Sequence, residues 1–325
     1  MIRITTEPSL ALIKYWGKTE AGVNIPATSS IAISLKGLIT TTEVTTSSKS
    51  PDTAAEDVFS LNGTIQQDPK VNAFLRHARS LYPELRELQF SFKTENTFPT
   101  SAGIASSSSG FAALAIALDR AARLQLSPAQ LSSLARTGSG SASRAVFGGF
   151  TSFPAGSEHA SQLFDHNHWP DLRIVVVMVS AKAKPIGSRG AMERTRTTSP
   201  YFEPWVDFSR TLEQPARDAI SNCNLSALGP LIRRSYLAMF GSMLAADPGV
   251  LYWLPDSIAI LQKAAVWRAE GLAVWETMDA GPQVKLVTTA KELPQLQDKL
   301  QQDFPHLPVL TASVGSGPIV TENTT

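Results

Sequence analysis

Apolar residues recur along this chain at two different spacings. In KVNAFLRHARSLY, Val71, Phe74, Leu75 and Ala78 fall on one face at the helical period, which predicts an amphipathic helix. SSIAISLKGLITTTEVTTS and LQFSFKTEN alternate apolar and polar positions and are rich in Ile, Thr, Val and Phe, so they predict strands. TEPSLALIKYWG is an apolar run ending in Tyr-Trp-Gly, a strand leaving the core. DVFSLNGTIQ sets Asn62-Gly63 between β-formers, a hairpin signal. The longest unbroken apolar run, IVVVMV at 174–179, suits a buried strand and is far too short for a membrane span. The texture then changes. Residues 201–246 and 251–270 predict helices, LAVWETM and QVKLVTTA strands, 292–302 a helix and PVLTASVGSG a last strand. The fold class expected is α+β. A β-rich half with embedded helices, 1–180, precedes a helix-rich half with a small sheet, 181–325.

The first chemical signal is FPTSAGIASSSSG at 98–110, directly before the helical FAALAIALDRAARL. A helix N-terminus presents unpaired N–H groups and the positive end of the helix dipole, so an anion sits there naturally. Gly103 lets backbone approach closely, and Ser106 to Ser109 add hydroxyls. One serine would be a helix cap. Four serines behind PTSAG favour a phosphate site, where a hydroxyl can also ligate Mg²⁺. No Gly-Lys-Ser/Thr follows the glycine, so this is not a Walker loop.

Composition narrows the function class. The 325 residues suggest two domains; 43% are hydrophobic and 18% charged, with a net charge of +1. That balance, without a basic-aromatic patch, argues against a nucleic-acid-binding module and against an anionic membrane as partner. The single cysteine, Cys223, forbids an internal disulfide and points to the reducing cytosol. It sits in ISNCNLS, read as a helix-to-helix junction. The N-terminus has no signal-peptide pattern.

PTSAGIASSSSG resembles the phosphate loop of the GHMP kinases, and three further segments narrow the likeness. ALIKYWGK (11–18), GSGSASRAVFGGF (138–150) and TMDAGPQVK (277–285) are similar, in order and spacing, to signature segments of the mevalonate diphosphate decarboxylase family. The likeness runs over essentially the whole chain. It implies a two-domain GHMP kinase fold, with a ribosomal-protein-S5-like N-terminal half and a ferredoxin-like, helix-rich C-terminal half. It also implies an ATP- and Mg²⁺-dependent enzyme, cytoplasmic and often homodimeric. ATP would phosphorylate the tertiary alcohol of mevalonate 5-diphosphate, and loss of phosphate and CO2 would give isopentenyl diphosphate. A mevalonate 5-phosphate decarboxylase giving isopentenyl phosphate, or a kinase that stops after phosphoryl transfer, stays open as an alternative.

The resemblance assigns residues. Asp279, at a strand end, would be the catalytic base toward the C3 hydroxyl. Arg144 would grip the substrate carboxylate, and Lys18 would neutralise phosphoryl charge beside the Asp279 proton transfer. Ser9, Tyr15, Ser139, Gly140, Ser141, Ser188 and Arg189 would bind substrate. Gly103, Ala105, Ser106, Ser107 and Ser108 would bind ATP, with Ser106 on Mg²⁺. Lys182 and Lys184 would meet nucleotide phosphates, while Lys14 and Trp16 read as packing or surface residues. Two positions depart from the pattern. Ser9 stands where the family has an asparagine that contacts substrate phosphate, which leaves the substrate's phosphate count open, and Gln283 replaces another asparagine, a mild change.

Overall fold

The computed structural model describes residues 1–20, 22–48, 57–98 and 106–322. The first half contains β1 (Ile2–Thr6), β2 (Ser9–Ile13), β3 (Ser30–Lys36), β4 (Thr40–Ser48), β5 (Val58–Leu61), β6 (Thr64–Ile65), α1 (Pro69–Leu81) and β7 (Leu88–Asn96). It continues with α2 (Ser106–Ala122), α3 (Pro128–Gly138), α4 (Ala142–Ala145), β8 (Phe150–Phe153), β9 (Ser161–Phe164) and β10 (Leu172–Val177). The second half contains α5 (Ser188–Thr198), α6 (Phe202–Arg210), α7 (Glu213–Ser221), α8 (Leu225–Leu244) and α9 (Pro255–Ala269). It ends with β11 (Trp275–Met278), β12 (Val284–Thr289), α10 (Leu293–Asp303), β13 (Val309–Val314) and β14 (Ile319–Glu322).

Local chemistry accounts for much of this. The face of α1 read from the sequence, Val71, Phe74, Leu75 and Ala78, is the buried one. Asp68 caps the helix by accepting from Lys70 N at 2.8 Å, and Pro69 opens it. Asn62 and Gly63 have φ of 49° and 79°, the left-handed pair that a tight hairpin turn requires. Helix α3 starts in a capping box between Ser127 and Gln130.

The strands make two sheets. One has the order β14-β1-β4-β7-β5-β6. The other runs β11-β12-β10-β13-β3-β8-β9, with β2 also paired to β3. Among these pairs only β5–β7 is parallel. Helix α2 packs on β1 and β4, and α8 packs on β11 and β2. The second sheet draws strands from both halves of the chain, and β14 returns from the C-terminus to pair with β1. No helix among the described residues is long and apolar enough to cross a membrane.

Candidate active site

A cavity of about 390 Å³ opens where β2, α2, the α3–α4 turn, α5 and the end of β11 meet. Among the described residues six cations line it, Lys14, Lys18, Lys70, Arg144, Lys184 and Arg189, against a single carboxylate, Asp279. A chain with a net charge of only +1 therefore concentrates positive charge here, where a polyanion would be drawn in.

Asp279 follows the last residue of β11, and both its oxygens are engaged. Oδ1 accepts from Lys14 Nζ at 2.7 Å, and Oδ2 lies 3.1 Å from Lys285 Nζ. Burial alone would raise the carboxyl pKa, but the two ammonium groups outweigh it and hold the acid well below the usual carboxylate range. Lys14 is 1% exposed. Burial, with Lys285 and Arg144 adding to it against the pull of Asp279, brings its pKa down to about 8. Lys14 also donates to the Ala11 carbonyl at 2.7 Å.

Arg144 is buried on α4. Its Nε donates to Ser9 Oγ at 3.3 Å and one terminal nitrogen donates to Ser30 Oγ. Burial lowers its pKa to about 10, and its guanidinium lies 5.9 Å from the centre of the Tyr15 ring. The Tyr15 hydroxyl is buried without a hydrogen-bond partner among the described residues. Burial pushes its pKa up to about 12. Gly140 permits this arrangement: a methyl group there would come within 2.3 Å of the Tyr15 hydroxyl.

Hydroxyls form the opposite wall. Ser139 Oγ lies 3.3 Å from Ser107 Oγ and 3.1 Å from Ser141 Oγ, so the mouth of α2 and the α3–α4 turn share one polar cluster. Ser106 also lines the cavity. Ser108, expected with them on the nucleotide, is fully buried, and its Oγ accepts from Ser9 N at 3.1 Å. The reason is helical: each step along α2 rotates the side chain by about 100°, so consecutive serines cannot all face one ligand. Gly103 and Ala105 lie outside the described residues.

The cavity-lining lysine bonded to Asp279 is Lys14, while Lys18 lines the cavity elsewhere. Lys14, read as packing or surface, is the one on Asp279, whereas the charged neighbours of Lys18 are Arg189 and Glu193. The backbone explains it. Lys14 directly follows β2 and stays beside the core, but Gly17, at φ 106° and tight against the Phe202 ring, turns the chain away. Lys18 then bridges to Pro26 and faces α5. Burial first, and Arg189 second, lower its pKa to about 8. Trp16, read as packing or surface, is buried.

On α5, Ser188 Oγ accepts from Lys184 Nζ at 3.1 Å, and an Arg189 terminal nitrogen donates to the Gly138 carbonyl at 3.1 Å. Lys184 also donates to the Ala280 carbonyl at 2.8 Å, while Lys182 is exposed. Gln283 does more than a mild change suggests. Fully buried, it accepts from Val179 N at 2.5 Å and donates to the Ser180 carbonyl, which ties the Asp279 turn to the segment carrying Lys184. Ser9, whose replacement of asparagine raised the phosphate-count question, spends its hydroxyl on Arg144. Lys14, Lys285 and Ser30 were missed from the sequence. For the lysines a signal existed: each is a lone cation in an otherwise apolar strand run, LALIK and VKLV, and a buried cation there demands a partner.

Comparisons with known proteins agree over most of the chain. A family model described as Diphosphomevalonate decarboxylase-like N-terminal domain matches residues 6–164, and one described as Mevalonate 5-diphosphate decarboxylase C-terminal domain matches residues 174–321. Diphosphomevalonate decarboxylase mvd1 of Aspergillus fumigatus is 34% identical over 312 residues, covering 89% of this chain and 77% of that protein. The solved mevalonate diphosphate decarboxylase from Enterococcus faecalis superposes with a TM-score of 0.90 at 34% identity, over 99% of both chains. A complex of MDDEF with MVAPP, AMPPCP and magnesium superposes with a TM-score of 0.91, again at 34% identity and over 99% of both chains.

Proposed function

This chain belongs to the diphosphomevalonate decarboxylase family, and on that premise we propose roles for the residues of its cavity. The protein is an ATP-dependent decarboxylase: mevalonate 5-diphosphate and ATP give isopentenyl diphosphate, ADP, phosphate and CO2. Asp279 accepts the C3 hydroxyl proton as that oxygen forms its bond to the γ-phosphorus and the bond to ADP breaks. The C3–O bond then breaks with its electron pair leaving on phosphate. The pair from the bond to the carboxylate carbon becomes the alkene, and CO2 departs. Arg144 holds that carboxylate with the guanidinium edge left over from Ser9 and Ser30. Lys14 keeps Asp279 ionised in the cavity. Lys18, Tyr15, Ser139, Gly140, Ser141, Ser188 and Arg189 receive the diphosphate, and the mouth of α2 with Ser106 and Ser107 receives the nucleotide phosphates. The observation that carries this reading is the lone carboxylate, paired to a buried lysine, inside a six-cation cavity.

Among the described residues no group of three His, Cys, Asp or Glu could hold a metal. The hydroxyls of Ser106 and Ser107 on the cavity wall are oxygen donors of the kind Mg²⁺ takes, and either would hold the ion together with nucleotide phosphates and water. When bound, the ion neutralises phosphate charge and polarises the phosphoryl group. We also place the domain boundary near residue 180. Cytoplasmic location and a homodimer belong to the same proposal. The lone cysteine supports the first, and the exposed apolar Leu251, Leu254, Ile258 and Val266 around α9 support the second.

The direct test measures ADP and CO2 together on mevalonate 5-diphosphate and 5-phosphate, with ATP and Mg²⁺. Expected are equal amounts of ADP and CO2 and a diphosphate preference of about tenfold or more, the worth of one charge-assisted contact. ADP without CO2 would identify a kinase, and a reversed preference would make the monophosphate the substrate.

A pH profile checks the cationic wall. Lys14 and Lys18 both have pKa values lowered to about 8, so each is charged below that pH and neutral above it. The free enzyme's kcat/KM for the diphosphate is expected to fall as pH rises through about 8, with a limiting slope steeper than −1. In Lys18→Arg the slope should relax to −1. A profile flat to pH 9.5 would contradict the role of these lysines.

A further inference from the structure

Lys285 touches Asp279 from outside the lining of the cavity. It is 1% exposed on β12, between the fully buried Val284 and Leu286, and it is absent from the cavity lining that includes Lys14. Strand pairing puts it there. In the β11–β12 register Thr277 faces Lys285 and Met278 faces Val284, and the turn closing this pair begins at Asp279. Cross-strand partners share a face of the sheet, and so do residues two apart, so Lys285 and Asp279 converge. The carboxylate is thus gripped at Oδ1 by the cavity-side lysine and at Oδ2 by the rear one.

A lysine buried in an aliphatic strand is costly, and valine or leucine would pack there without a charge to desolvate. Its retention needs a gain, and Asp279 supplies a counterion. The cationic groups facing Asp279 are Lys14 from the end of β2, Lys285 from β12, Arg144 from α4 and Lys184 from the segment before α5. Three of them line the cavity, where bound carboxylate and phosphates compete for their charge; Lys285 does not. We propose that Lys285 is the positioning residue of this proton transfer: it fixes the Asp279 carboxylate from behind and keeps it ionised when substrate anions engage the other cations. This rests on Asp279 as the proton acceptor.

The test is Lys285→Met, which keeps the length and removes the charge. A fall in kcat of about ten- to thirtyfold is expected, with both KM values within about threefold of wild type, because Lys285 meets neither substrate. The kcat profile, read on the substrate-saturated enzyme, should gain an acidic limb that wild type lacks, since a carboxyl with one ammonium fewer titrates higher. Lys285→Arg, which keeps a cation, should show the wild-type profile without that limb. A purely structural role would lower the melting temperature and leave the profile per folded molecule unmoved. If the methionine variant does not fold, Lys285→Gln carries the same expectation. Asp279→Asn is measured alongside. An active Asp279→Asn enzyme would remove the premise. An inactive one beside a Lys285 variant with wild-type kcat and no acidic limb would overturn this inference alone.

Discussion

Asp279→Asn is expected to lower turnover by about a thousandfold or more, the scale of losing the proton acceptor together with its charge. The amide is nearly isosteric, so the cavity keeps its shape, but it cannot take a proton near neutral pH. Nucleotide binding should survive, since the hydroxyls proposed to receive it, of Ser106 and Ser107, sit on α2, not on β11. Stability should drop, because Lys14 and Lys285 lose the carboxylate that offsets their burial; stranding one side of such a pair costs about 3–5 kcal/mol. The sign of its pH dependence follows from Lys14. With a pKa lowered to about 8, it is charged at pH 6 and largely neutral at pH 9, so the stability lost relative to wild type should shrink as pH rises. Turnover within tenfold of wild type in correctly folded protein would remove Asp279 from the mechanism.

Arg144→Gln should cost about a hundred- to a thousandfold in kcat/KM, about 3–4 kcal/mol, typical of removing one partner of a desolvated ion pair. The carboxylate must stay aligned while its bond to the rest of the substrate breaks, and glutamine offers fewer donors and no charge. Stability should move the other way. In the free enzyme Arg144 is 2% exposed, its side-chain hydrogen bonds to Ser9 and Ser30 go to neutral hydroxyls, and burial depresses its pKa to about 10. A neutral replacement relieves that cost, so the melting temperature should hold or rise while activity collapses. Paired measurements of melting temperature and kcat/KM check this. A large loss of stability with normal activity per folded molecule would mean that Arg144 serves packing instead.

The sequence by itself determined whatever depends on neighbours along the chain. The helical period of α1, the Asn62-Gly63 turn, the serines opening α2 and a carboxylate at the end of β11 are set by side-chain spacing, backbone preference and capping within a few residues. These, together with the order of four motifs, were enough to point to the family and to Asp279 and Arg144. The tertiary structure decided which of several equivalent-looking residues face the cavity. Rotation along α2 sends Ser107 to the cavity and Ser108 to Ser9, and the left-handed Gly17 puts Lys14 on Asp279 and swings Lys18 toward α5. It likewise decided that β10, which precedes residue 180, lies between β12 and β13 in a sheet shared with β3. The Lys285–Asp279 contact depends on the register of β11 with β12, and the Ser9–Arg144 contact joins residues 135 apart. Such contacts exist only once sheets and helices have packed, because long-range pairing is chosen by burial and register, which leave no local trace in the chain.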